Sequence, residues 1–337
     1  MAEQGHPRPK RVTRQDVARY AGVSTAVVSY VINDVPGKAA PATQARVREA
    51  IEVLGYRPDA NARALRMGSA RLLGVIVPDT ANPFFAELTD ALAQSAAAHG
   101  YDVLVANSGL AAERERRNAQ NLISRQVDGL IIATLLSPAE QAALPTGGIR
   151  RVLIAQSATV PGIPAVSTDF RSGAQQGVEH LIAHGHRSIG LIVGGAGDDA
   201  WRDPREDGWA KALHAAGLPL GPVERTNYTR QGGYEAARAM LASSTPPTAI
   251  FASSDIEAIG ALRAIHEADI AIPDDIALVA FDGTIESEFS WPQLTVVKQS
   301  VTAVADAATE AALFPERVKH ELQLIPTELL IRRSCGC

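Results

Sequence analysis

The chain has 337 residues, of which 46% are hydrophobic and 20% charged, the usage of a globular protein with room for two or three folded units. No stretch approaches the roughly 18 uninterrupted apolar residues of a membrane helix, and the polar, basic opening MAEQGHPRPKRVTRQD lacks the apolar run of a secretory signal. A cytoplasmic protein with no membrane partner is expected.

The net charge of −5 conceals an asymmetry, because residues 1–68 hold eleven Lys and Arg against six Asp and Glu. That surplus of five leaves ten net negative charges on the remainder, the pattern of a small basic module on an acidic body, and it points to a polyanion partner. Residues 1–11 form a basic arm ahead of the first predicted element.

Thr13-Arg14-Gln15-Asp16 has the form of a capping box and predicts a helix from Arg14 that buries Val17, Ala18 and Ala21. Gly22 can take the left-handed conformation that ends it, and Ser24 can cap a second helix with Val27, Val28, Val31 and Ile32 on one stripe. Two helices joined by a glycine-containing turn of about three residues form a helix-turn-helix, although periodicity alone does not distinguish it from a ligand-free hairpin. After a loop over 33–40, Pro41 opens a third helix with Val47, Ala50, Ile51 and Leu54 at helical spacing, closed by Gly55. The head spans 12–57. A hinge and linker follow over 58–70, in which Asp59 can cap a short helical segment too short to be stable alone.

From Arg71 to the end at 337, apolar runs alternate with helical patterns, which predicts parallel strands crossed by helices. Strands are expected at 72–77, 102–106, 130–133, 151–155, 189–193, 249–252, 276–281 and 294–297. Helices are expected at 83–99, 111–126, 171–184, 207–216, 232–242, 256–267 and 301–313. So many strands favour two doubly wound parallel-sheet α/β lobes beside the small all-α helix-turn-helix head. Ligands of open parallel sheets sit beyond the carboxyl ends of the strands. The residues there include Asp79 with Phe84 and Phe85, then Asp169, Arg205 before Gly208-Trp209, Ser254-Asp255, and Phe281-Asp282-Gly283.

VTRQDVARYAGVSTAVVSYVIN, followed by TQARVREAIEVLGYRPDANARALR, resembles the DNA-binding head of the LacI/GalR family of bacterial transcription regulators. The resemblance implies a homodimer on double-stranded operator DNA. The exposed early positions of the second helix, Thr25, Ala26 and Tyr30, then face base edges in the major groove, where Ala26 offers only a methyl contact. Thr13, Ser24, Ser29, Asn33, Thr43 and Tyr56 are candidates for phosphate contacts, each equally able to be a cap or turn residue. Ala40 stands where relatives place a capping serine, so the third helix should start less firmly. Residues 60–67 match a hinge helix that orders on operator, with Ala62 at the close contact with its two-fold mate and Leu65 as a wedge between base pairs.

The body is similar to that family's effector domain and to periplasmic sugar-binding proteins. This likeness implies a small-molecule effector between the lobes, sugar-like in the first instance and a nucleobase or nucleoside in the second. Arg205 would bind hydroxyls or a carboxylate, Asp255 and Asp282 would accept from hydroxyls, and Phe84, Phe85 and Trp201 would cover apolar surface. Asp79 and Asp169 complete the expected set; Asp79 equally reads as a helix cap and Asp282 as a turn residue.

Other chemistry is weakly signalled. Gly195-Ala196-Gly197-Asp198-Asp199-Ala200 fits a dinucleotide pattern, but its two aspartates would repel phosphate and Pro204 follows soon after. Catalytic motifs are absent, so a regulator is expected rather than an enzyme, without cofactor or metal. Cys335 and Cys337 are expected to be reduced surface thiols, and His180, His184 and His186 helix and turn residues.

Overall fold

A computed structural model describes residues 12–57, 68–134, 136–156, 159–195, 203–318 and 321–337. The chain divides into two compact units, 1–70 and 71–337. In the first, helix α1 (Arg14–Ala21) opens on the Thr13 capping box: Thr13 Oγ1 accepts from Asp16 N–H at 3.3 Å and Asp16 Oδ2 accepts from Thr13 N–H at 2.9 Å. Gly22 closes the helix at φ 61°, a conformation that costs glycine little and other residues about 1–2 kcal/mol. Ser24 Oγ accepts from Val27 N–H at 3.3 Å to begin α2 (Thr25–Ile32), and Pro41 begins α3 (Pro41–Leu54). Ala40 provides no side-chain cap there. Val17, Ala21, Val28, Val31, Val47 and Ala50 form the shared core with Tyr56, while Val27 and Ile32 on the predicted stripe are only half-buried.

The second unit contains two six-stranded sheets. Sheet 1 comprises β1 (Leu72–Val77), β2 (Asp102–Asn107), β3 (Gly129–Ala133), β4 (Arg150–Ile154), β5 (Ala165–Thr168) and β11 (Leu322–Ile325), in the order β11-β5-β4-β3-β1-β2, all parallel. Sheet 2 comprises β6 (Ile189–Gly194), β7 (Val223–Thr226), β8 (Ala249–Ala252), β9 (Ala277–Asp282), β10 (Thr295–Gln299) and β12 (Thr327–Leu330), in the order β12-β10-β9-β8-β6-β7, with β12 antiparallel. Registers such as Val75↔Ile131 and Leu191↔Phe251 align strands that are apolar on both faces, as parallel sheets covered by helices require.

Helix α4 (Pro83–Ala98) covers one face of sheet 1 and α5 (Ala112–Ser124) the other. On sheet 2, α7 (Phe170–Ala183) and α8 (Pro204–Ala215) cover one face, and α9 (Arg230–Leu241) and α10 (Asp255–Glu267) the other. Two short helices, α6 (Pro138–Ala143) and α11 (Ile285–Phe289), went unpredicted. The α9–α10 contact depends on glycine, because a Cβ on Gly233 would lie 2.1 Å from the Glu257 carbonyl oxygen and one on Gly260 would lie 1.9 Å from that of Arg230.

Helix α12 (Val301–Leu313) returns to sheet 1, where Val304, Ala305 and Ala308 join Leu73, Val75 and Ile131. The chain thus crosses between lobes after β5, after β10 and after β11. These crossings are bonded to one another: Thr168 Oγ1 donates to Gln299 Oε1 at 2.6 Å, and Asp169 N–H donates to the Ile325 carbonyl at 2.8 Å. Strands β5, β7, β11 and β12, which sequence reading missed, have four residues each, and three lie at sheet edges where polar side chains dilute the apolar run. Among the described residues no helix is long and apolar enough to cross a membrane.

Candidate DNA interface and effector cleft

On α2 the core face and the outer face are cleanly separated. Val28 and Val31 point inward, while Ser24, Thr25, Ala26 and Tyr30 are exposed. Thr25 and Ala26 occupy the first turn and Tyr30 the next on the same side, the placement that lets a second helix read base edges. Of the phosphate-contact candidates, Thr13 and Ser24 serve as caps, and Asn33 Nδ2 donates to the Ser29 carbonyl at 2.7 Å and its hydroxyl at 3.3 Å. Thr43 is half-buried on α3, and Tyr56 packs into the core of the head. Ala62 and Leu65 lie outside the described residues.

In the body, Arg205 is set by the start of α8. Asp203 Oδ1 accepts from Arg205 N–H at 2.8 Å, Pro204 supplies the first helical turn, and the guanidinium folds back to donate from Nη1 to Asp203 Oδ2 at 3.0 Å. The guanidinium carbon stands 4.1 Å from the centre of the Phe170 ring and 4.7 Å from that of Phe281, and Nη2 is 3.9 Å from Asp282 Oδ1. Tyr228 donates its hydroxyl to Asp203 Oδ2 at 2.5 Å. Asp282 Oδ1 accepts from Gln299 Nε2 at 2.7 Å, so the polar cluster continues into the crossing segments. Asp282 itself sits at φ 111°, a backbone strain of about 1–3 kcal/mol that surrounding contacts must hold.

Asp255 opens α10 with Oδ2 accepting from Thr284 N–H at 2.6 Å and from its hydroxyl at 2.8 Å. Arg205, Asp255 and Asp282 are 9%, 2% and 6% exposed, yet Arg205 Nε and Asp255 Oδ1 have no hydrogen-bond partner among the described residues. Burial, opposed by Arg205 and the Gln299 bond, pushes the Asp282 carboxyl up to about 7. Burial and the neighbouring Asp282 push Asp255 well above the carboxylate range, while Arg205, which burial alone would lower, is held above its ordinary value because Asp203, Tyr228, Asp282 and Glu257 together outweigh that cost. A carboxyl pair in this state presents both a proton donor and an acceptor near neutral pH.

Sequence reading missed several members of this cluster. Glu257 is wholly buried and accepts from Ser253 and Ser254 hydroxyls at 2.7 Å each and from Thr226. Its spacing from Ser254 is that of a capping box, a readable signal. Asp203-Pro204 is likewise a visible cap followed by a proline at the first helical position. Phe170, Gln299 and Tyr228 carry no local signal, because only the fold brings them to Arg205.

The other predicted residues fall in varied places. Asp79 Oδ1 accepts from Ala81 N–H at 2.9 Å in a turn, and Asn82 rather than Asp79 caps α4. Phe84 packs into the sheet 1 core and Phe85 is half-buried against it, their rings 5.1 Å apart. Asp169 caps α7 through Ser172 N–H at 3.0 Å. Trp201 and 196–200 of the glycine pattern lie outside the described residues. The following helix end is already occupied by the Asp203 carboxylate, which a pyrophosphate could not share.

One expectation is corrected. Cys335 is not a surface thiol: it is 1% exposed in the sheet 2 core, and of the two cysteines Cys337 is the exposed one. His180 and His184 are helix and helix-end residues as expected, and both cysteines lie beside them on α7. Two concavities, of about 330 Å³ beside Arg171, Asp207 and Lys211 and about 300 Å³ beside Val166, Ala307 and Arg317, are lined by none of Arg205, Asp255 and Asp282.

Residues 13–59 match the model of bacterial regulatory proteins of the lacI family, and residues 178–335 match the periplasmic binding protein-like domain. The chain is 33% identical over 329 residues to the catabolite control protein A of Priestia megaterium, covering 96% of this chain and 99% of the relative. It superposes on the crystal structure of the lac repressor dimer bound to operator and the anti-inducer ONPF with a TM-score of 0.86 at 28% identity, covering 97% of this chain and 99% of that one. A LacI family regulator from Enterococcus faecium with bound ribose gives a TM-score of 0.69 at 26% identity, covering 78% and 98%. Head, lobes and relatives agree, and the chain belongs to the LacI family of DNA-binding transcriptional regulators, a family of regulators and not of enzymes.

Proposed function

We propose that the protein is a homodimeric repressor, acting in the cytoplasm, whose operator affinity is set by a small polyhydroxylated effector bound at the Arg205, Asp255 and Asp282 cluster. The observation that carries this reading is the pair of buried, unpartnered atoms, Arg205 Nε and Asp255 Oδ1. A buried polar atom without a partner costs about 1–3 kcal/mol, a debt that ligand hydroxyls would relieve. The flanking Phe170 and Phe281 rings make the surroundings apolar, as a sugar-binding cleft requires. Ribose in the Enterococcus faecium relative supports the same chemistry.

A dimer is supported by the operator-bound relative and by the concentration of exposed apolar side chains at Ile285, Phe289 (80% exposed) and Trp291 (74% exposed). On DNA, Thr25, Ala26 and Tyr30 read base edges while Thr13, Ser24, Ser29, Asn33, Thr43 and Tyr56 fix position on the phosphates; Ala62 and Leu65 close the hinge in the minor groove.

Selection of random duplexes on the full-length protein, followed by rebinding with a panel of pentoses, hexoses, disaccharides, nucleosides and nucleobases, tests the reading. A two-fold palindrome with a flexible central pyrimidine-purine step is expected, with its affinity shifted by a sugar. Enrichment of no sequence, with binding that responds only to salt, would reduce the head to an electrostatic anchor. A response confined to nucleobases would overturn the effector class alone.

A further inference from the structure

The end of the chain and the end of α7 bring together four side chains that the regulatory function leaves unused. His180 lies in the last turn of α7 and His184 is its C-cap, with ring centroids 4.6 Å apart. Cys337 Sγ is 3.0 Å from His184 Nε2 and 3.7 Å from His180 Nε2. The donor atoms of His180, Cys335 and Cys337 all lie within 4.8 Å of one another, the one such grouping found among the described residues.

We propose that His180, His184, Cys335 and Cys337 form a tetrahedral site for a single zinc-type metal ion, which fastens the end of the chain to α7. Two thiolates and two imidazoles are a complete ligand set for such an ion. Bonds of about 2.3 Å to sulfur and about 2.0–2.1 Å to nitrogen place tetrahedral donors roughly 3.3–3.8 Å apart. The sulfur–nitrogen distances of 3.7 Å to His180 and 3.0 Å to His184 lie in or close to that range, and among His180, Cys335 and Cys337 donors up to 4.8 Å apart need a closure of about 1 Å, with His184 joining them through its contact with Cys337.

The local backbone is built for this convergence. Gly336 adopts φ 88°, open to glycine and strained for other residues, and this turn brings both thiols toward α7. Cys335 is fixed in the core and accepts a hydrogen bond from Thr295 Oγ1 at 3.0 Å, the kind of outer contact that holds a thiolate in place. Cys337 is exposed. His186 directs Nδ1 to Thr248 Oγ1 at 3.1 Å, whereas the sulfur contacts of Cys337 are to His180 and His184.

The site is separate from the effector cleft. Helix α7 begins at Phe170, beneath the Arg205 guanidinium, and ends at the histidine pair 14 residues on, about 20 Å away at 1.5 Å per residue. Metal occupancy and effector response can therefore fail independently.

The test is a titration of full-length protein, stripped with a chelator and kept under a phosphine reductant, with cobalt(II) alone. One equivalent per chain should bind with sulfur-to-metal charge transfer and the strong visible bands of a tetrahedral site, and one equivalent of zinc(II) should displace it. Cys337→Ser and His184→Ala, both at exposed positions, should each weaken binding at least about 10-fold with far-ultraviolet circular dichroism and apo unfolding unchanged. A spectrum without thiolate bands, an affinity unaltered by Cys337→Ser, or a Cys335–Cys337 disulfide that survives the reductant would each overturn the proposal.

Discussion

Arg205→Ala removes the centre of the proposed effector site and separates its two consequences. The guanidinium makes one bond to Asp203 at 3.0 Å, approaches Asp282 at 3.9 Å, and leaves Nε unpartnered, so Nε and the fork beside it can serve a ligand. Two hydrogen bonds to a charged group, at about 1.5–3 kcal/mol each, amount to about 3–6 kcal/mol, or roughly 10²- to 10⁴-fold in effector affinity. Stability should fall less than the ligand affinity does. Breaking a buried pair costs about 3–5 kcal/mol when the abandoned charge stays ionised. Here Asp282, already near 7, can take a proton, and Asp203 keeps Tyr228 and a backbone N–H, which places the loss near the low end. Calorimetry with the effector and anisotropy on labelled operator read the two separately. Operator affinity without effector should persist, and Arg205→Lys should recover stability but not the bidentate contact. An alanine variant whose effector affinity stays within about threefold of wild type would refute the assigned role, as would equal loss of operator and effector binding.

Asp282 also predicts a pH dependence: its folded pKa of about 7 exceeds the ordinary value near 3.9, so its stabilising contribution is complete below pH about 4 and is lost as pH rises through 7. The melting temperature of the body should fall between pH 5 and 8, and Asp282→Asn should flatten that fall; an unchanged slope would assign it elsewhere. Gly260→Ala places a Cβ 1.9 Å from the Arg230 carbonyl oxygen, and urea unfolding should show a loss of at least about 3 kcal/mol as α9 and α10 are forced apart. Ala40→Ser supplies the side-chain cap that α3 lacks and should raise the stability of the head by about 0.5–2 kcal/mol, read by hydrogen exchange at the start of α3; no added protection would mean that Pro41 already fixes that helix end.

The head was legible because its determinants are local. Thr13 with Asp16, Gly22, Ser24 and Pro41 each act within four residues of themselves, and the structure finds each in its expected place. The strands of the sheet interiors were legible for a related reason, since burial on both faces demands unbroken apolar runs such as 72–77 and 189–194. What escaped was assembled over long range. Strand β11 belongs to sheet 1 through pairing with β5, yet within LQLI only Ile325 is buried, and the strand joins the sheet only after α12 has returned. The cleft divides the same way: Arg205 and Asp282 are marked by their positions after strands, whereas Gln299 and Phe170 acquire their roles from neighbours 17 residues distant or more in the chain. The cysteines were misread for that reason too, because Cys337 meets His184 across 153 positions.

The same long-range contacts tie the proposed effector site to the segments that join the lobes. Tyr228, Asp203, Arg205, Asp282, Gln299 and Thr168 form a continuous polar chain, and its last two members lie on the segments that join the lobes. An effector that takes hydrogen bonds from Arg205 or shares a proton with Asp282 changes what Gln299 accepts and donates. Gln299 has few alternatives, since it is buried with one amide end on Asp282 and the other on Thr168. A ligand with different affinity for two lobe arrangements shifts their populations by that difference alone, about 1–3 kcal/mol for ordinary allosteric coupling. One or two charge-assisted hydrogen bonds gained in a single arrangement suffice for that. On the proposed function the crossing segments need not move far; they need only hold two bonding patterns of similar free energy, and an amide that can donate at one end and accept at the other is suited to both.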